Sequence, residues 1–385
     1  MAQQASVRRP RSLTRRLIVG ALALGAIGAQ IAASPPEPGW PARPDHGFRE
    51  VDLVSDIPGR ADKTDPNLVN PWGLASARTG KVWVSDNGAD KATMYEGAQH
   101  GKPVRISPRV VSIPEGGAPT GIVRNDTDEF RFSHSRKTGV ARFIFAGENG
   151  DLFAWNPDVS PTSAVRVAHE NSNIENAVFK GLTLVRSAEK HENRGKDEKP
   201  KLLVANFRDA RIDVFDTNFT LVPSTGQFED PDIPSGFAPF DVKVFGPRVF
   251  VTYAKQDADK EDDVAGPGNG FIDVFSTEGG LLQRFASQRV LNSPWGLEVA
   301  PQGFGKFSGD LLVGNFGDGH INAFDLHTGH FEGTLNGQNG DPIEIPGLWG
   351  LLRGTNRSGG RDAVWFAAGI NDEANGLLGV LRAEH

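Results

Sequence analysis

The chain has 385 residues, a formal net charge of -7 and no cysteine. Without cysteine, disulfides, thiolate nucleophiles and Cys-ligated metals are excluded. The acidic balance argues against nucleic acid and anionic membranes as partners. The 46 Gly and 26 Pro indicate many turns, and the short runs between them are rich in branched and aromatic residues, which favours strands.

The first 34 residues are predicted to be a signal peptide. Five arginines, from Arg8 to Arg16, precede an apolar run from Leu17 to Ala33, and this segment contains no acidic residue. A basic stretch, a short apolar run and small residues at its end are typical of secretory signals. The alternative is a membrane anchor, although about 17 residues is at the lower limit for spanning a bilayer.

The pair Arg15-Arg16 also resembles a twin-arginine signal, so the export route stays open. We expect cleavage near Ser34, a Pro-rich linker over residues 35–48, and a periplasmic or secreted bacterial protein without stable membrane insertion. Removing the five arginine charges from the net charge of -7 leaves -12 for the mature chain. We expect that chain to be a monomer.

After Asn70 one degenerate unit occurs six times. Each unit opens with a Pro/Gly turn and an apolar strand, and its third position recurs at intervals of 48, 60, 60, 55 and 54 residues, at Gly73, Gly121, Gly181, Asp241, Gly296 and Gly350. A second strand such as Val82-Trp83-Val84 and a third such as Phe271 to Phe275 follow. Repeats of four antiparallel strands predict a propeller. The predicted fold is therefore an all-β, six-bladed β-propeller over residues 49–385.

The sixth unit ends without residues for a fourth strand. Upstream of the first unit, Glu50 to Val54 alternates apolar and polar residues, as a strand does. We predict that this N-terminal strand is the outer strand of the sixth blade, which removes an exposed edge. The alternative is a frayed N-terminal arm.

Two charged stretches interrupt the repeat. Ser187 to Pro200 is predicted to be a solvated loop. Lys255 to Gly270, in the fourth unit, contains five acidic residues between Asp257 and Asp263. These acids could bind Ca²⁺ or form an acidic solvated loop, and the glycines from Gly266 to Gly270 could hinge the segment as a lid.

Two sets of positions are expected at one end of the channel. The residues before the third motif position are Trp72, Thr120, Lys180, Phe240, Trp295 and Trp349. They either pack between blades or form an aromatic rim for a flat or sugar-like ligand, and we take Trp72, Lys180, Phe240, Trp295 and Trp349 as candidate ligand-binding residues.

The first turn residues after the second strands form the other set. They include Asp86, Asn206 and Asn315, with Glu148 one position later in its blade. Oxygen ligands suit Ca²⁺ or another divalent cation, but Asp and Asn are also common in turns. Both interpretations stay open. For catalysis, the candidate bases are His320, beside Asp318, and Glu148; no nucleophile motif accompanies them.

Four segments carry a resemblance to a known family, namely Asn70 to Ala75, Val82 to Asn87, Lys255 to Lys260 and Gly270 to Phe275. They resemble an uncharacterised family of exported bacterial proteins, some of which carry PEP-CTERM tails. The resemblance implies an NHL-like propeller and no specific activity. This sequence lacks a terminal Pro-Glu-Pro motif, so it should be released rather than sorted. The Asp86, Asn206 and Asn315 set is also distantly similar to gluconolactonase-type propellers, which hold a catalytic divalent ion.

The leading functional hypothesis is an exported propeller that binds a small molecule or a glycan at the channel mouth. The second is a divalent-metal-dependent hydrolase of the lactonase or esterase type, with Asp86, Asn206 and Asn315 as ligands. The third is an extracellular scaffold for protein contacts.

Overall fold

The computed structural model describes residues 47–171, 176–186, 199–223 and 225–384. Three predicted segments lie outside the described residues: the signal peptide, the linker up to residue 46, and residues 187–198 of the first charged stretch. Within the described part, no helix is long and apolar enough to cross a membrane.

The predicted all-β, six-bladed propeller is confirmed. The chain starts with β1 (Phe48–Ser55) and β2 (Lys63–Thr64). Blade one contains β3 (Pro71–Ser76), β4 (Val82–Asp86), β5 (Lys91–Gly97), β6 (Val104–Ile106) and β7 (Val111–Ser112), with a 3₁₀ turn at Asn87–Ala89. Blade two contains β8 (Pro119–Arg124), the separate hairpin β9 (Arg131–His134) and β10 (Lys137–Val140), then β11 (Phe143–Gly147), β12 (Asp151–Trp155) and β13 (Val165–His169).

The remaining blades follow the same order from the channel outward. Blade three contains β14 (Phe179–Val185), β15 (Lys201–Asn206), β16 (Arg211–Phe215) and β17 (Leu221–Val222). Blade four contains β18 (Phe237–Phe245), β19 (Arg248–Lys255), β20 (Gly270–Ser276) and β21 (Leu281–Ser287). Blade five contains β22 (Pro294–Val299), a 3₁₀ turn at Gly305–Phe307, β23 (Leu311–Asn315), β24 (Ile321–Phe324) and β25 (Phe331–Thr334).

Blade six combines both ends of the described chain. It contains β26 (Leu348–Arg353), β27 (Ala363–Ile370) and β28 (Asn375–Ala383), and β1 pairs antiparallel with β28, from Phe48 opposite Ala383 to Ser55 opposite Leu377. Leu53 and Val54 of β1 are buried in the cluster between blades six and one. The N-terminal strand therefore covers an edge that would otherwise be unpaired.

The repeated motif lies where neighbouring blades approach most closely. In every blade the pairing of the innermost strand with the next strand is interrupted at this motif. A Cβ atom on Gly73 would lie 2.6 Å from the Thr120 carbonyl oxygen, and one on Gly350 would lie 2.4 Å from that of Trp72. Glycine is needed because the next inner strand occupies the space of a side chain.

The core consists of apolar layers between adjacent blades. Between blades one and two, for example, Trp83 stacks on Phe143 with ring centroids 4.2 Å apart. A further buried cluster, described below, fills the channel itself. This packing brings the six motif turns to one end of the channel.

Candidate functional site

The innermost strands line the channel, and the turns that lead into them lie at one end, which we call the channel mouth. The loops joining the second and third strands of each blade lie at the same end, because successive strands are antiparallel. These two sets of loops bring residues from all six blades toward one axis.

Aromatic side chains close the channel below the mouth. Trp72 stacks on Trp349 with centroids 3.5 Å apart, and Trp295 lies edge-on to Trp349 at 5.6 Å. Together with their aromatic neighbours they form the aromatic floor, which consists of Trp72, Phe207, Phe240, Trp295, Phe316 and Trp349. The four predicted aromatic ligand-binding residues are thus together but buried. Thr120 is also buried and donates to the Phe179 carbonyl oxygen.

Lys180 is the charged residue on this floor. Its side chain is only 1% exposed, and Nζ lies 2.6 Å from Glu148 Oε1 and 3.4 Å from Asp262 Oδ1. The same ammonium group lies 5.0 Å from the Trp72 ring centroid. Burial lowers the pKa of Lys180, but the carboxylates of Glu148 and Asp262 outweigh it and raise the pKa above its ordinary value. Lys180 is therefore a protonated donor at neutral pH and is not suited to act as a nucleophile.

Glu148 connects Lys180 to blade one. Its Oε2 accepts a hydrogen bond from Asn87 Nδ2 at 2.9 Å, and Asn87 Oδ1 accepts from Asn70 Nδ2 at 3.3 Å. This chain of contacts crosses blades one, two and three. Glu148 is held as an ion-pair partner of Lys180, and its role as a base stays a prediction.

The segment between β19 and β20, residues 256–269, reaches across the mouth to blade three, and we call it the mouth loop. Gln256 Nε2 donates to the Phe207 carbonyl oxygen at 2.5 Å, and Glu261 forms an ion pair with Arg208. Asp262 completes the contact with Lys180 while remaining 77% exposed. The role of the mouth loop as a lid stays a prediction.

Two further acids lie at the mouth: Glu373 was not identified from the sequence, and Asp263 was predicted only as one acid of the charged loop. Glu373, between β27 and β28, accepts a hydrogen bond from Trp349 Nε1 at 3.1 Å, and burial raises its pKa. Burial also raises the pKa of Asp263, in the mouth loop, against the opposing effect of Lys180. Nearby, the buried Nε1 atoms of Trp72 and Trp295 have no hydrogen-bond partner in the described part of the chain.

In each blade, the residue after the second strand that faces the channel comes one position later in the sequence than predicted. The mouth is lined by the residues one position later in each blade, at Asn87, Glu148, Phe207, Ala254, Phe316 and Gly369. The predicted positions precede these, and successive residues of an extended chain point to opposite sides. An alignment of the six blades on this later position puts Asn87 and Glu148 in the same set.

Asp86, Asn206 and Asn315 are consequently directed into separate blades. Their hydrogen-bond partners include Thr93 (3.2 Å), Asp213 (2.8 Å) and the carbonyl of Val290 (2.8 Å), respectively. Burial raises the pKa of Asp86 well above its usual range, which favours the neutral form. Oδ2 of Asp86 and Oδ1 of Asn315 are buried without a hydrogen-bond partner among the described residues. A divalent cation shared by Asp86, Asn206 and Asn315 stays a prediction. No other group of three His, Asp or Glu suited to a metal occurs among the described residues.

His320 lies at the same end of blade five. Its Nδ1 is 3.6 Å from Asp318 Oδ1, and its side chain is 34% exposed. Asp318 is held in turn by Asn315 and Asn292, whose Nδ2 atoms donate to it at 3.1 and 3.2 Å. An imidazole oriented by a carboxylate can serve as a base, and this role stays a prediction.

No protein-family model matches the chain. "Uncharacterized protein R648" of Acanthamoeba polyphaga mimivirus is 32% identical over 333 residues, which cover 85% of this chain and 78% of the relative. This relative is viral, whereas the resemblance implied a bacterial family.

Among solved structures, the soluble aldose sugar dehydrogenase of Escherichia coli is similar with a TM-score of 0.52 and 10% identity, over 88% of this chain and 100% of that one. A putative gluconolactonase is similar with a TM-score of 0.40 and 16% identity, over 68% of this chain and 80% of that one. At 10% identity, the likeness to the sugar dehydrogenase shows the propeller fold alone.

Proposed function

The chain belongs to the family of mimivirus protein R648, and we propose that it binds a neutral, hydroxyl-rich small molecule, such as a sugar, at the channel mouth. The observation that carries this proposal is the buried ammonium of Lys180, held by Glu148 and Asp262 above the Trp72 ring. A buried cation that contacts both carboxylates and an aromatic floor at a channel end is typical of a binding site.

The charges of the mouth favour a neutral ligand. Four carboxylates influence or contact Lys180, at Glu148, Asp262, Asp263 and Glu373. An anionic ligand would be repelled by this excess of acids, and a cationic ligand would compete with Lys180 for them. Hydroxyl groups both donate and accept hydrogen bonds, so they can pair with the ammonium and the carboxylates together.

The mouth loop would be the lid of this site. Asp262 contacts Lys180 from the solvent side, so a hydroxyl of the ligand could replace its carboxylate without disturbing the buried pair with Glu148. Below that position the aromatic floor offers ring faces that pack against the C–H surface of a sugar. Displacing the loop would uncover the floor, and the ligand would then cover it.

Calorimetric titration with a panel of neutral mono- and disaccharides tests the proposal. Lys180→Met keeps the length of the side chain and removes its charge, so the affinity should fall about tenfold or more, because a hydrogen bond to a charged group is lost. Lys137→Met, on the exposed β9–β10 hairpin, is the control and should bind like the wild type. Because Lys180→Met leaves Glu148 without its cationic partner, Glu148→Gln is the second variant, and circular dichroism checks the fold of both.

Two results would overturn the proposal: no binding of any neutral sugar by the wild type, or equal affinities for the Lys180→Met and Lys137→Met variants. Binding of charged analogues in place of neutral ones would also contradict the charge argument.

A lactone or ester hydrolase is the second candidate, favoured by the His320–Asp318 pair. Turnover of a simple lactone or phenyl ester that His320→Gln abolishes would support it. We also propose that the chain is exported and monomeric. N-terminal sequencing of the secreted chain should find a start near residue 35.

A further inference from the structure

We infer that a cavity between blades one and two, at the channel end opposite the mouth, binds a small molecule in which a flat aromatic ring carries an anionic group. The cavity has a volume of about 430 Å³. We call it the cationic cavity. The inference does not depend on the function proposed for the mouth, because the two sites use different residues.

The floor of the cationic cavity is aromatic. Trp83, Phe143 and Trp155 line it, and Trp83 lies 4.2 Å from Phe143 and 4.8 Å from Trp155 between ring centroids. Trp155 is nine-tenths buried, and its Nε1 has no hydrogen-bond partner in the part of the chain that the structure describes. Three neighbouring rings form a surface on which another ring can stack.

The walls of the cationic cavity are basic. Five cations line it, at Arg78, Lys81, Arg109, Arg124 and Arg142, and its lining contains no Asp or Glu among the described residues. Arg124 pairs with Asp126 at 3.4 Å. The other four form no salt bridge with any described residue, so most of the positive charge is uncompensated.

This concentration of charge is unusual for a chain with a net charge of -7. Like charges in one cavity repel each other, and the effect is visible at Arg124, whose pKa is lowered by burial and by Arg78. An anion bound among these groups would relieve the repulsion. Guanidinium groups pair with carboxylate, phosphate or sulfonate oxygens through two parallel hydrogen bonds.

The ligand should carry both an aromatic ring and an anionic group, because rings and cations line the same cavity. The Arg109 guanidinium carbon lies 5.6 Å from the Trp155 ring centroid, so a cation stands directly beside the aromatic floor. A neighbouring cavity of about 630 Å³ shares Arg78 and adds Arg353, Arg357 and Arg361, but no aromatic residue lines it. The coincidence of rings and cations therefore distinguishes the cationic cavity, and its volume fits a ligand of one or two fused rings.

The test compares three probes that share one ring system: 1-naphthalenesulfonate, neutral 1-naphthalenemethanol and cationic 1-naphthylmethylamine. Binding is followed by calorimetry and by quenching of tryptophan fluorescence. We expect the sulfonate to bind most tightly, the alcohol about tenfold more weakly, and the amine not at all. Added salt should weaken the sulfonate complex.

The double variant Arg109→Gln and Arg142→Gln removes two exposed cations and should lower the affinity for the sulfonate about tenfold or more. The control, Arg131→Gln with Arg136→Gln, removes the same charge from the exposed β9–β10 hairpin and should leave the affinity unchanged. Both variants should keep the melting temperature of the wild type.

Equal losses in the two double variants would mean that net charge alone attracts the probe and would overturn the inference. So would absence of sulfonate binding at millimolar concentration, or alcohol binding as tight as that of the sulfonate. A sulfonate affinity that the Lys180→Met variant leaves unchanged would show that the probe does not occupy the mouth.

Discussion

Asp241 occupies the motif position that is glycine in the other five blades, and its side chain is buried in the channel wall beside Gly181. Its backbone N–H donates to Thr252 Oγ1 at 2.9 Å, while Oδ2 has no hydrogen-bond partner among the described residues. Burial raises the pKa of Asp241 to about 7, with Lys243 opposing. The carboxyl group is therefore protonated in the folded chain at pH values where an exposed aspartate is ionised.

This raised pKa predicts how stability depends on pH. The pKa of an aspartate in the unfolded chain is near its ordinary value of 3.8, and that of folded Asp241 is about 7, so the native state holds an extra proton between these pH values. The free energy of unfolding should then fall as the pH rises through this window. The Asp241→Asn variant has no carboxyl group to ionise at this position. Its free energy of unfolding should therefore rise relative to that of the wild type by roughly 2–4 kcal/mol between about pH 4 and pH 8.

Urea unfolding across this pH range measures the difference. Asp259→Asn, an exposed change in the mouth loop, serves as the control and should follow the wild type. A stability difference between Asp241→Asn and the wild type that does not vary with pH would contradict this prediction.

At the scale of the elements, the motif turn connects each blade to the next. The pairing irregularity in each inner strand and the glycine beside it allow adjacent inner strands to touch backbone to backbone around the channel. The same turns contain Trp295 and Trp349 of the aromatic floor. Burial of these side chains therefore depends on close contact between the inner strands.

Gly350→Ala tests this contact. The added Cβ would lie 2.4 Å from the Trp72 carbonyl oxygen, which belongs to the backbone and cannot move freely, so the free energy of unfolding should fall by about 1–3 kcal/mol. Gly280→Ala is the matched control, since its nearest neighbour, Ser276 Oγ, is at 3.5 Å. Thermal and urea unfolding compare the two, and equal stabilities would show that the strands tolerate the methyl group.

On the scale of the whole molecule, the ring joins the two ends of the described chain and separates two kinds of charge. Strand β1 covers β28 and buries Leu53 and Val54 against blades six and one. The channel mouth carries carboxylates around one lysine, whereas the cationic cavity lies at the other end.

Removal of residues 2–56 should open the ring. Without β1, the edge of β28 is unpaired and its apolar layer is exposed, so the melting temperature should fall by on the order of 5–10 °C and the chain should aggregate more readily. Removal of residues 2–46 keeps β1 and should leave the melting temperature unchanged. Calorimetry and light scattering distinguish the two, and identical behaviour would show that β1 contributes nothing to closure.

The sequence by itself determined the number of blades, because each blade repeats a local pattern of strands and turns, and five of the six have a glycine where the inner strands pack closely. It also gave Lys180 and Glu148 as candidates, since motif residues recur at equivalent places around the ring, and the structure brings these two side chains into contact. The aromatic residues Trp72, Trp295 and Trp349 were identified for the same reason, although the sequence left open whether they form a rim or a packed core.

Only the tertiary structure decided which turn residues face the channel. Asn87, Glu148 and Phe207 point inward and Asp86 and Asn206 do not, because the side-chain direction at a strand end alternates with each residue and depends on the exact length of the turn. The contact of Asp262 with Lys180 and that of Glu373 with Trp349 are equally inaccessible to sequence patterns. They join loops of different blades, which only closure of the ring brings together.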